Sequence, residues 1–206
     1  MGIWAEIKAA LNSTLGKDLK PLDVIVKNAI KDAEHEICYS DLEKEELSGN
    51  TNVYVFPRGS RTVSAGYSSG DNTLVGKKII AVPNNAVTIS SIISKDVVSI
   101  KLPNTVTSIS SGAFNGNSNL GFIEIPNKIN TIPSNCFKDC TSLAMATIPE
   151  SVKVIAAGAF GNCSSLKNII YGGTQRDWKN VEIDNTAFSG YSGTIWVHCS
   201  DGSTWI

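Results

Sequence analysis

The strongest constraint on the fold is a 23-residue repeat that begins near residue 97. Four columns of the repeat hold one residue type in all three copies: Pro103, Pro126 and Pro149; Ile109, Ile132 and Ile155; Phe114, Phe137 and Phe160; Leu120, Leu143 and Leu166. Three further columns hold residues of similar size or chemistry: Val106, Ile129 and Val152; Ala113, Cys136 and Ala159; Asn117, Cys140 and Cys163. Chance does not align seven columns at one spacing, so the sequence predicts an array of equivalent structural units.

Each unit has the pattern of one coil of a solenoid. Leu120, Ile123 and Ile125 have the spacing of a short strand whose last two apolar residues face the same side. Pro126 has no N–H for a strand ladder, so it ends the strand and turns the chain. The other apolar columns fill the interior from the opposite side: Ile129, Ile132, Cys136 and Phe137. Because one coil cannot bury its own apolar face, we expect neighbouring coils to stack, with Phe over Phe and Leu over Leu.

The ends of the array are irregular. Val82-Pro83 precedes Leu102-Pro103 by slightly less than one period, so residues 79–96 are predicted to form a degenerate first coil. After the third repeat, Phe188 follows Phe160 by more than one period, and a strand at 194–197 is predicted to close the array. Terminal repeats are expected to be atypical because they cap an open core.

The repeat unit "IPNKINTIPSNCFKDCTSLAMATIP" resembles the BspA-like leucine-rich repeats of bacteria, and the closing segment "IIYGGTQRDWKNVEI" resembles their terminal segments. The resemblance covers about residues 80–206. It implies a β-rich leucine-rich-repeat solenoid used in adhesion or protein binding, in proteins that are often surface-exposed or secreted. It supplies no catalytic residues.

Residues 1–75 do not follow the repeat and are predicted to form a small α+β segment ahead of a solenoid at 76–206. A first helix is predicted from the apolar face formed by Ile3, Ile7, Leu11 and Leu15. Helical spacing recurs from Leu22 to Ile37. "NVYVFPRGS" and "RTVSAGY" predict two short strands joined as a hairpin by a Pro-Arg-Gly turn.

Charge and hydropathy exclude two classes of partner. The 18 basic and 19 acidic residues give a net charge of -1, which does not provide the basic surface that nucleic acid selects. No stretch approaches the roughly 20 apolar residues of a membrane-spanning helix, so we expect no membrane insertion. Glu6 and Lys8 interrupt the apolar N-terminus, so no secretory signal is predicted and the cellular location stays open.

Candidate catalytic and metal-binding groups all have a simpler explanation. His35 and His198 have no companions at metal-ligand spacing. His198 and Cys199 are neighbours on a predicted strand and therefore point to opposite faces, so they do not form a base and nucleophile pair. The five cysteines are an odd set without paired spacing, which favours thiols over disulfides. We expect no cofactor, no metal and no enzymatic activity.

The outward side of the stacked strands is the candidate binding site. Alternation predicts that six residues face away from the interior: Phe122, Glu124, Met145, Thr147, Asn168 and Ile170. Phe122 and Met145 would lie on neighbouring strands about 4.8 Å apart, with Ile170 in the next row. Two alternatives remain open. Either this apolar patch is exposed and binds a partner, or the N-terminal segment folds over the sheet and buries it.

The sequence favours a non-catalytic module that binds another protein, although it does not decide between a protein and a glycan ligand. The alternative is a structural component of a phage-like particle, which would form homo-oligomers through the N-terminal helix at Ile3, Trp4, Ile7 and Leu11. An enzymatic function would require a cluster of polar residues that the sequence does not contain.

Overall fold

The computed structural model describes Gly49 and residues 52–66 and 74–206, in which short parallel strands stack along a solenoid. The strand that opens each coil lies on what we call the front side, and the next strand lies on the back side. The front strands are β1 Val53–Val55, β3 Ile79–Ala81, β5 Ser99–Lys101, β7 Phe122–Glu124, β9 Met145–Ile148, β11 Asn168–Tyr171 and β13 Trp196–Cys199. The back strands are β2 Thr62–Gly66, β4 Thr88–Ile93, β6 Ser108–Ile109, β8 Thr131–Ile132, β10 Val154–Ile155 and β12 Glu182–Ile183. The predicted β-rich solenoid is confirmed.

Strand pairing follows the repeat. In the front sheet, Phe122 of β7 lies opposite Met145 of β9, which lies opposite Asn168 of β11. These partners are separated by one full period, so equivalent positions of successive coils stand directly over one another. A final strand, β14 Gly202–Trp205, pairs antiparallel with β13. It completes a five-stranded front sheet in the order β14-β13-β11-β9-β7.

Phenylalanine rings form a continuous ladder inside the solenoid, as predicted. The ring centroids of Phe114 and Phe137 lie 5.1 Å apart, and those of Phe137 and Phe160 lie 5.3 Å apart. Phe188 continues the ladder at 5.3 Å from Phe160, with its ring inclined by only 2°. The three leucines of the repeat are fully buried beside this ladder. Stacked rings at this spacing therefore join each coil to the next through the core.

The lengthened interval before Phe188 has a structural cause. After β11, the chain forms the helix α1 Gln175–Lys179, the one helix among the described residues. Thr174 caps it: the Asp177 N–H donates to the Thr174 hydroxyl at 3.2 Å, and the Thr174 N–H donates to the Asp177 carboxylate at 3.0 Å. Trp178 of the helix is buried against Tyr171, with ring centroids 5.1 Å apart. The extra residues thus form a helical connection between β11 and β12 without displacing Phe188 from the ladder.

A polar column runs through the same core, one member in each period, at Ser94, Asn117, Cys140 and Cys163. The side-chain carbonyl of Asn117 accepts from the Ser94 N–H, and its amide donates to the Ile92 carbonyl at 2.6 Å. In the following coils, the thiol of Cys140 donates to the Phe114 carbonyl at 3.2 Å, and that of Cys163 donates to the Phe137 carbonyl at 3.1 Å. From Asn117 onward, each member of the column therefore bonds to the backbone of the coil before it.

The predicted hairpin near the N-terminus is wrong. β1 pairs in parallel with β3, and β2 pairs in parallel with β4, so the two strands lie in different sheets. The Pro-Arg-Gly turn at Pro57 follows a front strand, as Pro83 and Pro103 do, and it turns the chain from the front side to the back side. The solenoid strands consequently begin before the predicted boundary at residue 76, and residues 79–96 form a coil preceded by another.

Several sequence predictions fall on residues outside the described ranges. These are the helical faces at 3–15 and 22–37 and the proposed self-association residues Ile3, Trp4, Ile7 and Leu11. They stay predictions.

Candidate binding surface

The outer face of the five-stranded front sheet is built by strict alternation. Ile123, Ala146, Ile169 and Val197 point into the core and are fully buried. Their neighbours point outward in two rows that cross the sheet. The first row is Phe122, Met145, Asn168, Trp196 and Trp205, and the second is Glu124, Thr147, Ile170, His198 and Ser203. We call these ten residues the outer face.

All six residues of the predicted binding set belong to the outer face, in the first three strands of the sheet. Their exposure differs from the expectation for a binding patch. Met145 is 2% exposed, Ile170 8% and Phe122 9%, although none of the three belongs to the core inside the coils. Of the two alternatives left open by the sequence, an exposed apolar patch at these three residues therefore disagrees with the structure. The alternative, in which the N-terminal segment covers these side chains, concerns residues outside the described ranges and stays a prediction.

The exposed aromatic groups lie at the other end of the same row. Trp196 is 42% exposed and Trp205 is 65% exposed. Their ring centroids are 6.0 Å apart with an interplanar angle of 65°, an edge-to-face pair. Neither residue was predicted from the sequence, because the regular period has already ended there. The available signals were the Asp-Gly sequence at 201–202, which is typical of a tight hairpin, and the alternation of Trp196, Val197 and His198.

An uncharged polar cluster adjoins the tryptophans. His198 Nε2 lies 3.0 Å from Asn168 Oδ1, and His198 Nδ1 lies 3.0 Å from Ser203 Oγ. Burial lowers the pKa of His198, which favours the neutral ring. Since Asn168 Oδ1 can only accept, Nε2 carries the hydrogen and Nδ1 accepts from the Ser203 hydroxyl. This end of the outer face therefore combines two aromatic rings with neutral hydrogen-bonding groups.

The four thiols in the described part of the chain lack the environment of a nucleophile. Cys136, Cys140 and Cys163 are buried in the core, and burial raises the pKa of Cys163 to about 12. Cys199 is partly buried, and burial, with a smaller contribution from Asp201, raises its pKa as well. An activated cysteine requires the opposite shift. Among residues 52–66 and 74–206, the structure brings no three His, Cys, Asp or Glu side chains together as a metal site.

In the described part of the chain, no helix has the length and hydropathy needed to cross a membrane.

Stacked parallel coils with ladders of phenylalanine and leucine define a leucine-rich-repeat solenoid. Residues 93–200 match the family model described as a BspA type leucine rich repeat region, in 6 copies. The match covers more than half of the chain, and the protein belongs to the BspA-type leucine-rich-repeat family. The resemblance expected from the sequence is confirmed.

A solved structure has a similar fold. It is the crystal structure of a leucine rich cell surface protein from Faecalibacterium prausnitzii A2-165, with a TM-score of 0.58 and 24% sequence identity. The similarity covers 65% of this chain and 35% of that one, so the chain spans about a third of the neighbour's length. At this identity the likeness establishes the fold alone. No curated protein matches the chain.

Proposed function

We propose that the protein is a non-catalytic, adhesion-type module that binds another protein through the outer face of its front sheet. The observation that carries this proposal is the pair of exposed tryptophans, Trp196 and Trp205, on a sheet whose other outward apolar residues are shielded. Leucine-rich-repeat modules generally mediate protein interactions, and the similar solved structure is described as a cell surface protein. Both facts support a binding role.

The physical chemistry of this surface suits recognition. Tryptophan is enriched among the residues that contribute most to protein interfaces, because one indole buries a large area and orders only two side-chain torsions. Trp196 and Trp205 stand on two strands that are paired with each other, so little backbone ordering accompanies binding. Asn168 and His198 place neutral hydrogen-bonding groups at the edge of the aromatic pair.

We further propose that the binding surface continues toward the predicted set, along the solvent-accessible members of the rows. Glu124 is exposed and Thr147 is half-buried, and they occupy the second row beside Ile170. The apolar members Phe122 and Met145 are buried, so this proposal does not count them among the contact residues. No catalytic role is assigned, since the described thiols have raised pKa values and His198 is bonded to neutral partners.

A comparison of binding variants tests this function. Tagged wild-type protein and the double variant Trp196→Ser, Trp205→Ser are used to capture proteins from cell-surface extracts, and bound species are quantified by mass spectrometry. Two residues of this type each contribute about 2 kcal/mol, so captured partner should fall at least about tenfold in the double variant. Val75→Ser is the matched control, since Val75 is 54% exposed but lies outside the outer face.

The outcomes separate the outer face from the rest of the molecule. Equal capture by wild type and the double variant would refute a tryptophan-centred site. Loss of capture in Val75→Ser as well would indicate non-specific adsorption of apolar surface. A second variant, Glu124→Arg with Thr147→Arg, should reduce capture if the surface extends along the row and leave it unchanged if contact stops at Asn168.

A further inference from the structure

The last strand of the front sheet, β14, has one paired edge and one open edge. It hydrogen-bonds to β13 and ends the five-stranded sheet within the described residues. Its residues Gly202, Ser203 and Trp205 are exposed, and Thr204 is half-buried. The open edge is therefore accessible to another strand.

The direction of each backbone group on β14 follows from the antiparallel pattern. Ile195 and Ile206 exchange both N–H···O bonds at 3.0 Å, so they form a hydrogen-bonded pair. Hydrogen-bonded and non-hydrogen-bonded pairs alternate along such a ladder. Consequently Thr204 bonds inward to β13, whereas Ser203 and Trp205 direct their N–H and C=O groups to the open edge. The same alternation explains why the Trp196 N–H donates to Lys167 on the opposite side, at 2.9 Å.

This edge lacks the features that prevent strand pairing. Natural edges are protected by charged side chains, proline, bulges or very short strands. The edge strand β12 on the back side shows two of them, since it has only two residues and one is Glu182. β14 has four residues, Gly-Ser-Thr-Trp, without charge or proline, and its Trp205 is 65% exposed. β14 is thus a competent template for an added strand.

We propose that β14 pairs antiparallel with β14 of a second copy of this chain, with Ser203 of each copy opposite Trp205 of the other. In this register, the backbone N–H and C=O groups of Ser203 and Trp205 that point to the open edge of each copy are all paired, in four N–H···O bonds. Thr204 then lies on the two-fold axis, opposite Thr204 of the second copy. Like surfaces meet across a two-fold axis, and an uncharged edge is complementary to itself, whereas a charged edge would select an oppositely charged partner.

The pairing also accounts for the exposed aromatic group at the edge. In the dimer, Trp205 of each copy lies against Ser203 of the other on the outer face, and its exposed area falls. The two front sheets become one continuous sheet across the two-fold axis. This inference does not rest on the proposed function, because it is argued from the backbone edge of β14. In the dimer the outward side of β13, with Trp196, stays free, whereas Trp205 is partly covered.

Disulfide trapping tests the register. Thr204 is in a non-hydrogen-bonded position of the proposed pair, where facing Cα atoms lie about 4.5 Å apart, within the range that a disulfide bridges. In a chain with Cys38→Ser and Cys199→Ser, Thr204→Cys should form covalent dimers in oxidised glutathione. The matched control Ser203→Cys should not, because its two copies lie on opposite sides of the two-fold axis and do not face each other. Equal cross-linking of both variants, or of neither, would overturn the register.

Sedimentation velocity tests the association itself. Wild-type protein should shift with rising concentration toward a species of twice 22.0 kDa. Ser203→Pro removes the N–H that points to the open edge and also the hydroxyl that donates to His198, but it leaves the backbone bonds from β14 to β13 intact. It should therefore stay monomeric with unchanged circular dichroism and both indoles in place, whereas Ser203→Ala, which loses only the hydroxyl, should dimerise like wild type. Wild-type protein that stays monomeric at all concentrations overturns the proposal. This holds even if β14 can pair with a strand of another molecule, because the proposed partner is a second copy of this chain. A dimer that persists in Ser203→Pro also overturns it.

Discussion

Removing one ring from the middle of the phenylalanine ladder should destabilise the protein more than removing the terminal ring. Phe137 is fully buried between two rings, at 5.1 and 5.3 Å, whereas Phe188 is partly buried and has one ring neighbour, Phe160, at 5.3 Å. Phe137→Ala should cost about 3–5 kcal/mol, the usual range for a buried phenylalanine. Each stacked pair contributes about 0.5–1.5 kcal/mol of this. Phe188→Ala loses less burial and one pair, so it should cost about 2 kcal/mol.

Urea unfolding followed by far-ultraviolet circular dichroism measures both values. The free energy of unfolding of a small domain is about 5–15 kcal/mol. A loss of about 4 kcal/mol therefore shifts the urea midpoint by much more than the experimental error. The m-value should stay constant, since a change in m would indicate that part of the solenoid unfolds separately.

A double-mutant cycle isolates the contact between rings. Phe137→Leu with Phe160→Leu should show a coupling of about 0.5–1.5 kcal/mol, because the two rings are in contact. Phe114→Leu with Phe160→Leu is the matched pair, separated by one coil, and it should be additive within about 0.5 kcal/mol. Equal coupling in both cycles, or a cost of Phe188→Ala that matches Phe137→Ala, would refute the ladder as a chain of nearest-neighbour contacts.

Three further predictions concern the polar groups. Asn117→Ala leaves two backbone groups unpaired in the core and should cost about 2–4 kcal/mol in urea unfolding, against less than about 1 kcal/mol for the exposed Asn119→Ala. Among the described thiols of the folded protein at pH 8, Cys199 should be alkylated by iodoacetamide before Cys163, as measured by peptide mass spectrometry; early labelling of Cys163 would contradict the buried column. Burial lowers the pKa of His198, so below about pH 6.5 the unfolded chain binds a proton more readily, and the free energy of unfolding falls as pH decreases. His198→Gln should show a smaller decrease in Tm between pH 7 and 5, and an unchanged decrease would exclude this residue as its cause.

The regular part of the fold could be predicted from the sequence because the same buried apolar residues recur in every repeat unit. A phenylalanine that recurs once in every period can stack only if the coils stack, and Phe114, Phe137 and Phe160 do so. The N-terminal strands were misassigned because a Pro-Gly turn fits a hairpin as well as a coil corner. Only the long-range pairing of β1 with β3 distinguishes the two, and that pairing is not visible in a short window of sequence.

The candidate surface was predicted in orientation but not in exposure. Alternation along a strand determines which way Phe122 and Met145 point, so their place on the outer face follows from the sequence. Their burial depends on what lies over the sheet, which periodicity does not report. Trp196 and Trp205 were not predicted for a different reason. Their strands follow an interval that helix α1 lengthens, so these residues do not fall in any column of the repeat.

The thiol and phenylalanine columns have a consequence for how such a molecule can change over generations. Each ring stacks on the ring of the adjacent coil, and the Cys140 and Cys163 thiols each donate to the backbone of the coil before them, so successive coils make the same contacts with their neighbours. An in-frame duplication of one unit would fit between existing coils without a new contact having to evolve, and would lengthen the stack by about 4.8 Å. The number of repeats in the gene thus sets the breadth of the front sheet, and recombination can change that breadth by one coil at a time.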